Sequence, residues 1–265
     1  MLSKLLHISI TLLVASTIIN GAMIPTHVKP LITVRPFCNG HSTCIIKKTI
    51  DKIEKKELTY PDYAQRKGIM WSDFWVNVAH PDLMEECTDT VKLTQVAGKL
   101  QRHYPQSVFN YPKVKNILCR EILPKLFALI HTNQWAQLPE KVFAQFFLQR
   151  CSASEPMDWH QDPGEDYDIT ADFSLALMLS LQNDPTDGWN GGEFKIRPGS
   201  PTDEYKEEDV ATIIPDFNQG IVFNNKINSH SVTQIFSIGA QSKRDLIVIP
   251  IYLGNPPKPK VAISH

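Results

Sequence analysis

Two runs of sequence, residues 142–151 (VFAQFFLQRC) and 244–253 (RDLIVIPIYL), decide the fold. Each is short and apolar, rich in β-branched and aromatic side chains, and bounded by residues that break helices. Working outward, the same texture recurs at 172–182 (DFSLALMLSLQ), 193–197 (EFKIR), 220–224 (GIVFN) and 231–236 (SVTQIF), with Gly, Pro, Asn and Asp between the runs. Successive short strands without intervening helices point to a sandwich or jelly roll, not to a parallel sheet with helical crossovers. The half before about Gln137 reads differently. Ile45–Leu58, Val91–His103 and Val114–His131 space their apolar residues as amphipathic helices do, with Pro124 expected to kink or divide the last. The cluster Trp71, Phe74 and Trp75 is expected to pack into the core. The expectation is therefore α+β: a mainly helical region over 23–137, a β domain over 138–254 and an exposed Pro- and Lys-rich tail over 255–265.

Composition narrows the classes. The chain has 265 residues, 42% hydrophobic and 21% charged, which suits a folded protein and excludes a disordered or collagenous one. Lys and Arg (27) nearly balance Asp and Glu (28), so no global basic field for nucleic acid is present. Residues 1–22 have the pattern of an export signal: Lys4, an apolar stretch Ile8–Ile19, then small residues at Gly21 and Ala22. That stretch is shorter than a bilayer span requires, and the rest of the chain holds no longer apolar run. The expected destination is an exported one: periplasm, extracellular medium or an endomembrane lumen. The five cysteines include Cys38 and Cys44, which an oxidising compartment would allow to close a small loop. A zinc site there lacks a second ligand pair. The sequence assigns no oligomeric state.

The chemistry concentrates at Trp159-His160-Gln161-Asp162. In extended backbone, residues two apart project to the same face, so His160 and Asp162 can bind one metal ion. His230, brought in by another strand, is the candidate third ligand. Two imidazoles and one carboxylate on one face leave open positions for ligand exchange and oxygen, as in non-haem Fe(II) oxygenases. A second His-x-Asp, His80-Pro81-Asp82, with His131 and Lys141 downstream, tests how specific this pattern is. It lies among helical patterns that supply no facing strands, so surface or helix-end histidines are expected there. Arg244 opens the last strand, where a guanidinium suits a carboxylate through two parallel hydrogen bonds. Lys243 is the alternative, because a one-residue slip exchanges the two.

From about Phe143 to Leu253 the chain resembles the Fe(II)/2-oxoglutarate-dependent dioxygenases, closest in pattern to the prolyl 4-hydroxylase-like branch. WHQD at 159–162, WNGGEF at 189–194, HSVTQI from His230 and KRDLIVIPIY from Lys243 carry the likeness. The resemblance implies a double-stranded β-helix with His160, Asp162 and His230 as iron ligands. It implies Arg244, or Lys243, on the distal carboxylate of 2-oxoglutarate. The reaction implied consumes O2, hydroxylates a C–H bond of a peptide (prolyl-type) or small-molecule substrate, and releases succinate and CO2; ascorbate is a possible auxiliary by the same resemblance. The chain departs from the family in running QRCSASEPMD before Trp159 and in a longer interval from His230 to Arg244. A cupin-like metal-binding module without oxygenase activity, and a secreted interaction protein with a decayed site, are the competing readings. The acids between Asp158 and Asp172 are expected to form a solvated loop at the site mouth.

Overall fold

A computed structural model describes residues 30–54, 66–87, 106–151, 153–162, 167–180, 189–237 and 243–258. The expected export signal, the helix over Val91–His103, the acids Glu165 and Asp166, the turn 239–242 and the last seven residues lie outside this set. In chain order the elements are β1 (Leu31–Val34), α1 (Gly40–Glu54), β2 (Arg66–Asn77), β3 (Glu85–Glu86), α2 (Pro112–Ile117) and α3 (Leu123–Thr132). Then follow β4 (Lys141–Cys151), β5 (Met157–His160), β6 (Phe173–Met178), β7 (Trp189–Gly191) and β8 (Phe194–Pro198). The last are β9 (Ala211–Ile213), β10 (Gly220–Asn224), β11 (Asn228–Val232), β12 (Ile235–Ser237) and β13 (Arg244–Tyr252). No described helix is long and apolar enough to cross a membrane.

The strands form a major sheet ordered β1-β10-β6-β13-β4-β2-β3, a minor sheet ordered β5-β11-β8-β9, and the pair β12-β7. Every pairing is antiparallel. The result is a jelly-roll-like core of facing sheets. Alternation along the central strands explains the layering. Val142, Ala144, Phe146 and Leu148 of β4, Leu175 and Leu177 of β6, and Ile247, Ile249 and Ile251 of β13 form one buried cluster with Ile46 and Ile50 of α1 and Leu126 and Ile130 of α3. The opposite faces of the same strands join Phe194 and Ile196 of β8, Val232 of β11 and Ile213 of β9 in a second cluster between the sheets. Because both faces are covered, these strands read as nearly continuous apolar runs, and each buried side chain contributes about 1.5–3 kcal/mol.

The N-terminal half departs from the expectation of a mainly helical region. β1 and β2 belong to the major sheet, with β2 paired along its length to β4, so the boundary expected near Gln137 does not divide the sheet. Trp71, Phe74 and Trp75 do join the core, as strand residues: Phe74 faces the helices, while Trp71 and Trp75 pack against Phe147 and Phe143 on the other face. A 3-10 turn (Pro81–Leu83) follows β2, and Pro124 is accommodated by a π-helical turn, Leu118–Ile122, between α2 and α3. There Leu123 N–H donates to Leu118 C=O, a register that absorbs the N–H that proline lacks. Cys38 and Cys44, the pair that could close a small loop, are not joined: Cys38 is buried before α1 and Cys44 lies on its exposed face.

Candidate metal centre

His160 ends β5 and His230 lies in the middle of β11, and the two residues are direct cross-strand partners. Their rings lie 4.1 Å apart between centroids. Asp162 follows in the turn after β5, with its Oδ1 3.9 Å from His230 Nε2. The three donor atoms lie within 4.8 Å of one another. Bonds of about 2.1 Å to a single first-row ion would set such donors roughly 3 to 4 Å apart, which small side-chain rotations reach. The pairing of β5 with β11 thus does what the sequence order alone does not show.

Each candidate ligand is held from behind. His160 Nδ1–H donates to the Asp158 carbonyl at 2.8 Å, which fixes the tautomer with Nε2 as the free lone pair. His230 is wedged between Phe194, stacked at 5.2 Å, and Phe223, edge-on at 5.0 Å. Burial, and secondarily the neighbouring His160, hold its pKa well below its ordinary value of 6.5, so it is the neutral imidazole that metals bind. Asn225 clamps the turn: it accepts from Asp162 N–H at 3.1 Å and donates to the carbonyls of Asp162 at 3.0 Å and Ala171 at 3.3 Å. Asp162 Oδ2 is buried with no hydrogen-bond partner. A buried carboxylate oxygen in that state is costly unless a cation meets it, so the residues present fit a divalent ion.

The triad opens on a cavity of about 400 Å³ between the sheets. Its walls are mainly apolar, among them Phe147, Met178, Ile221, Leu246 and Val248, with Gln149 and Gln219 as amide groups. Arg244 lines the same cavity, buried to 4% exposure, with its guanidinium 5.2 Å from the centre of the Trp189 ring. Lys243 points the other way and pairs with Glu54 of α1 at 2.8 Å. Trp189 is held by the WNGGEF turn. Gly191 and Gly192 adopt φ of +72° and +69°, and a Cβ on Gly191 would stand 2.2 Å from the Gln234 carbonyl oxygen.

The second His-x-Asp behaves as expected of the control. His80 and His131 are exposed, and Lys141 pairs with Glu85 at 3.5 Å. Among the described residues, His160, Asp162 and His230 are the one group placed to share a metal. The acids near the mouth divide in role. Asp158 is exposed and lines the cavity, whereas Asp172 pairs with Lys226 at 3.2 Å and accepts from Leu253 N–H at 2.8 Å. Asp168 accepts from Lys258 N–H at 2.6 Å, so it too is a structural anchor. Sequence reasoning missed Asn225, Phe194 and Phe223 as supports of the ligands, and Trp189 as the platform beneath Arg244. Only Trp189 and Phe194 carried a signal, as the two ends of the WNGGEF run.

No family model matches the chain, and no curated protein does. Solved structures do. The bsmA homolog of Methylobium petroleophilum PM1 aligns with a TM-score of 0.57 at 12% identity, covering 87% of this chain and 91% of that one. IDO from Bacillus thuringiensis aligns at 0.51 and 14% identity, covering 86% and 92%. The Fe(II)/α-ketoglutarate-dependent dioxygenase TqaL aligns at 0.50 and 10% identity, covering 84% and 82%. At these identities the likeness is one of fold: the chain is built on the jelly-roll architecture found in an Fe(II)/α-ketoglutarate-dependent dioxygenase.

Proposed function

We propose that the protein is an Fe(II)/2-oxoglutarate-dependent dioxygenase that hydroxylates a C–H bond of a peptide (prolyl-type) or small-molecule substrate. One observation carries this reading: a two-His-one-carboxylate cluster and a buried arginine open on one apolar cavity. A cupin-like binding module would need the triad but not the arginine. His160, Asp162 and His230 would hold Fe(II), and Arg244 would pair with the distal carboxylate of 2-oxoglutarate. When bound, iron and 2-oxoglutarate together supply the oxidising power drawn from O2, with succinate and CO2 as products.

The chain's own residues do the rest. Asp162 supplies negative charge to the ion, and the neutral His230 contributes a lone pair without a proton to displace. Arg244 would orient the co-substrate within the same cavity through two parallel hydrogen bonds. The walls formed by Phe147, Ile221, Leu246 and Val248 exclude bulk water, which strengthens both electrostatic contacts. The direct test is succinate release from 2-oxoglutarate by the iron-reconstituted protein, screened against peptides and amino acids. Activity in the native chain, absent in His160→Ala and Asp162→Ala, supports the reading. Succinate release undiminished in both variants refutes it.

A further inference from the structure

Arg244 is flanked by two charged residues, and both are tied to helix α1 on the side of the sheet away from the cavity. Lys243 Nζ meets Glu54 Oε2 at 2.8 Å. Asp245 accepts from Arg150 Nε at 2.7 Å and from its Nη2 at 2.8 Å, a two-pronged pair. Arg150 continues to α1, reaching Glu54 Oε2 at 2.6 Å and Asp51 Oδ1 at 2.9 Å. One Glu54 oxygen therefore serves both flanking residues. The Arg150–Asp245 pair is sealed, with side chains 5% and 1% exposed, and Asp245 N–H donates to Ser180 Oγ at 2.6 Å, whereas Lys243 and Glu54 reach the surface at 35% and 26%. Burial raises the Glu54 carboxyl, but the hydrogen bonds and positive charges of Lys243 and Arg150 together hold it below the usual range.

Strand geometry turns these anchors into a constraint on Arg244. Neighbouring side chains of β13 point to opposite faces, so fixing 243 and 245 on the helix face commits 244 to the cavity face. A one-residue slip would reverse this, sending Lys243 and Asp245 into the cavity and burying Arg244 under α1. Buried ion networks add little net stability compared with apolar packing, and fixing register is their best-attested use. None of Glu54, Arg150, Lys243 or Asp245 lines the cavity.

We infer that the Glu54–Arg150–Asp245–Lys243 cluster is a positioning device that aims Arg244 at the distal carboxylate of the co-substrate, an inference that rests on the proposed 2-oxoglutarate reading. The test uses the full chain loaded with Mn(II), which does not turn over, and calorimetric titration with 2-oxoglutarate and with 2-oxobutyrate, a keto acid lacking the distal carboxylate. The double variant Glu54→Gln/Lys243→Met removes the exposed part of the cluster and leaves the Arg150–Asp245 pair in place. It should weaken 2-oxoglutarate binding about tenfold, the worth of one charge-assisted hydrogen bond, and leave 2-oxobutyrate and Mn(II) affinities within about twofold. Arg244→Met sets the limit of that loss. Unchanged 2-oxoglutarate affinity in the double variant overturns the inference, as does equal loss of both keto acids, which would mean a general structural role. If the native chain itself does not prefer 2-oxoglutarate over 2-oxobutyrate, the reading of Arg244 fails and the inference falls with it.

Discussion

Asp73 should make the fold less stable above about pH 6 than its neutral replacement would. It sits on β2, where its Oδ1 accepts from Trp71 Nε1 at 2.7 Å and from Gln145 Nε2 at 3.0 Å; Gln145 in turn accepts from Tyr252 O–H at 2.9 Å. Trp71 packs edge-on against Phe147, a wall of the cavity, at 3.6 Å, so this chain of bonds supports the site from the side. Burial pushes the Asp73 carboxyl up from 3.8 to about 6, against the opposing hydrogen bonds from Gln145 and Trp71. Across that window the folded state keeps a proton that the unfolded chain has lost, so stability falls as pH rises through it and the full deficit is present above it. A tenfold change in proton affinity is worth about 1.4 kcal/mol, so the deficit is about 3 kcal/mol at about pH 7.5 and roughly half that at about pH 5. Asp73→Asn keeps an acceptor for both donors and carries no charge. In urea unfolding it should gain about 3 kcal/mol over the native chain at about pH 7.5 and roughly half as much at about pH 5. A variant no more stable at the higher pH, or a gap that does not change with pH, would refute the reasoning.

Three other substitutions probe the supports of the site and the fold. Asn225→Ala removes the clamp on Asp162 and should weaken Mn(II) binding about 10- to 100-fold by calorimetry; native-like affinity would show that the clamp is dispensable. Arg150→Met leaves the Asp245 carboxylate buried without its cation and should cost about 3–5 kcal/mol in urea unfolding, against less than about 1 kcal/mol if the cluster were solvated. In Gly220→Ala the new Cβ would stand 2.1 Å from a Phe37 ring carbon, so thermal unfolding should show a loss of roughly 1–3 kcal/mol that Phe37→Leu partly restores. Additive losses in that pair would mean that the two residues do not collide.

The strands of the C-terminal half were legible because they announce themselves. β4, β6 and β13 are apolar on both faces, one under the helices and one on the cavity, and their break residues fall between them. β2 was not legible for a related reason. Met70, Phe74 and Val76 are buried towards the helices while Trp71 and Trp75 face the other way, so no alternation appears, and a bulge between Gly68 and Met70 shifts the register. Four residues of β1 are too few to carry a pattern. At the site, His160 and Asp162 were readable from local spacing, but His230 required order and context, since only the β5–β11 pairing brings it across. Arg244 and Lys243 could not be separated in sequence, because the choice depends on which face α1 covers. Asn225 was unreadable: its side-chain amide bonds only backbone atoms of Asp162 and Ala171, so no partner residue type announces it.

The central claim is that three side chains and a keto acid share one ferrous ion. Anaerobic titration of Fe(II) into the protein with 2-oxoglutarate, followed by visible absorption, tests it most directly. A metal-to-ligand charge-transfer band should appear, saturate at one iron per chain and be lost in His230→Ala. Iron bound without the band, or a band of full strength in His230→Ala, would contradict it.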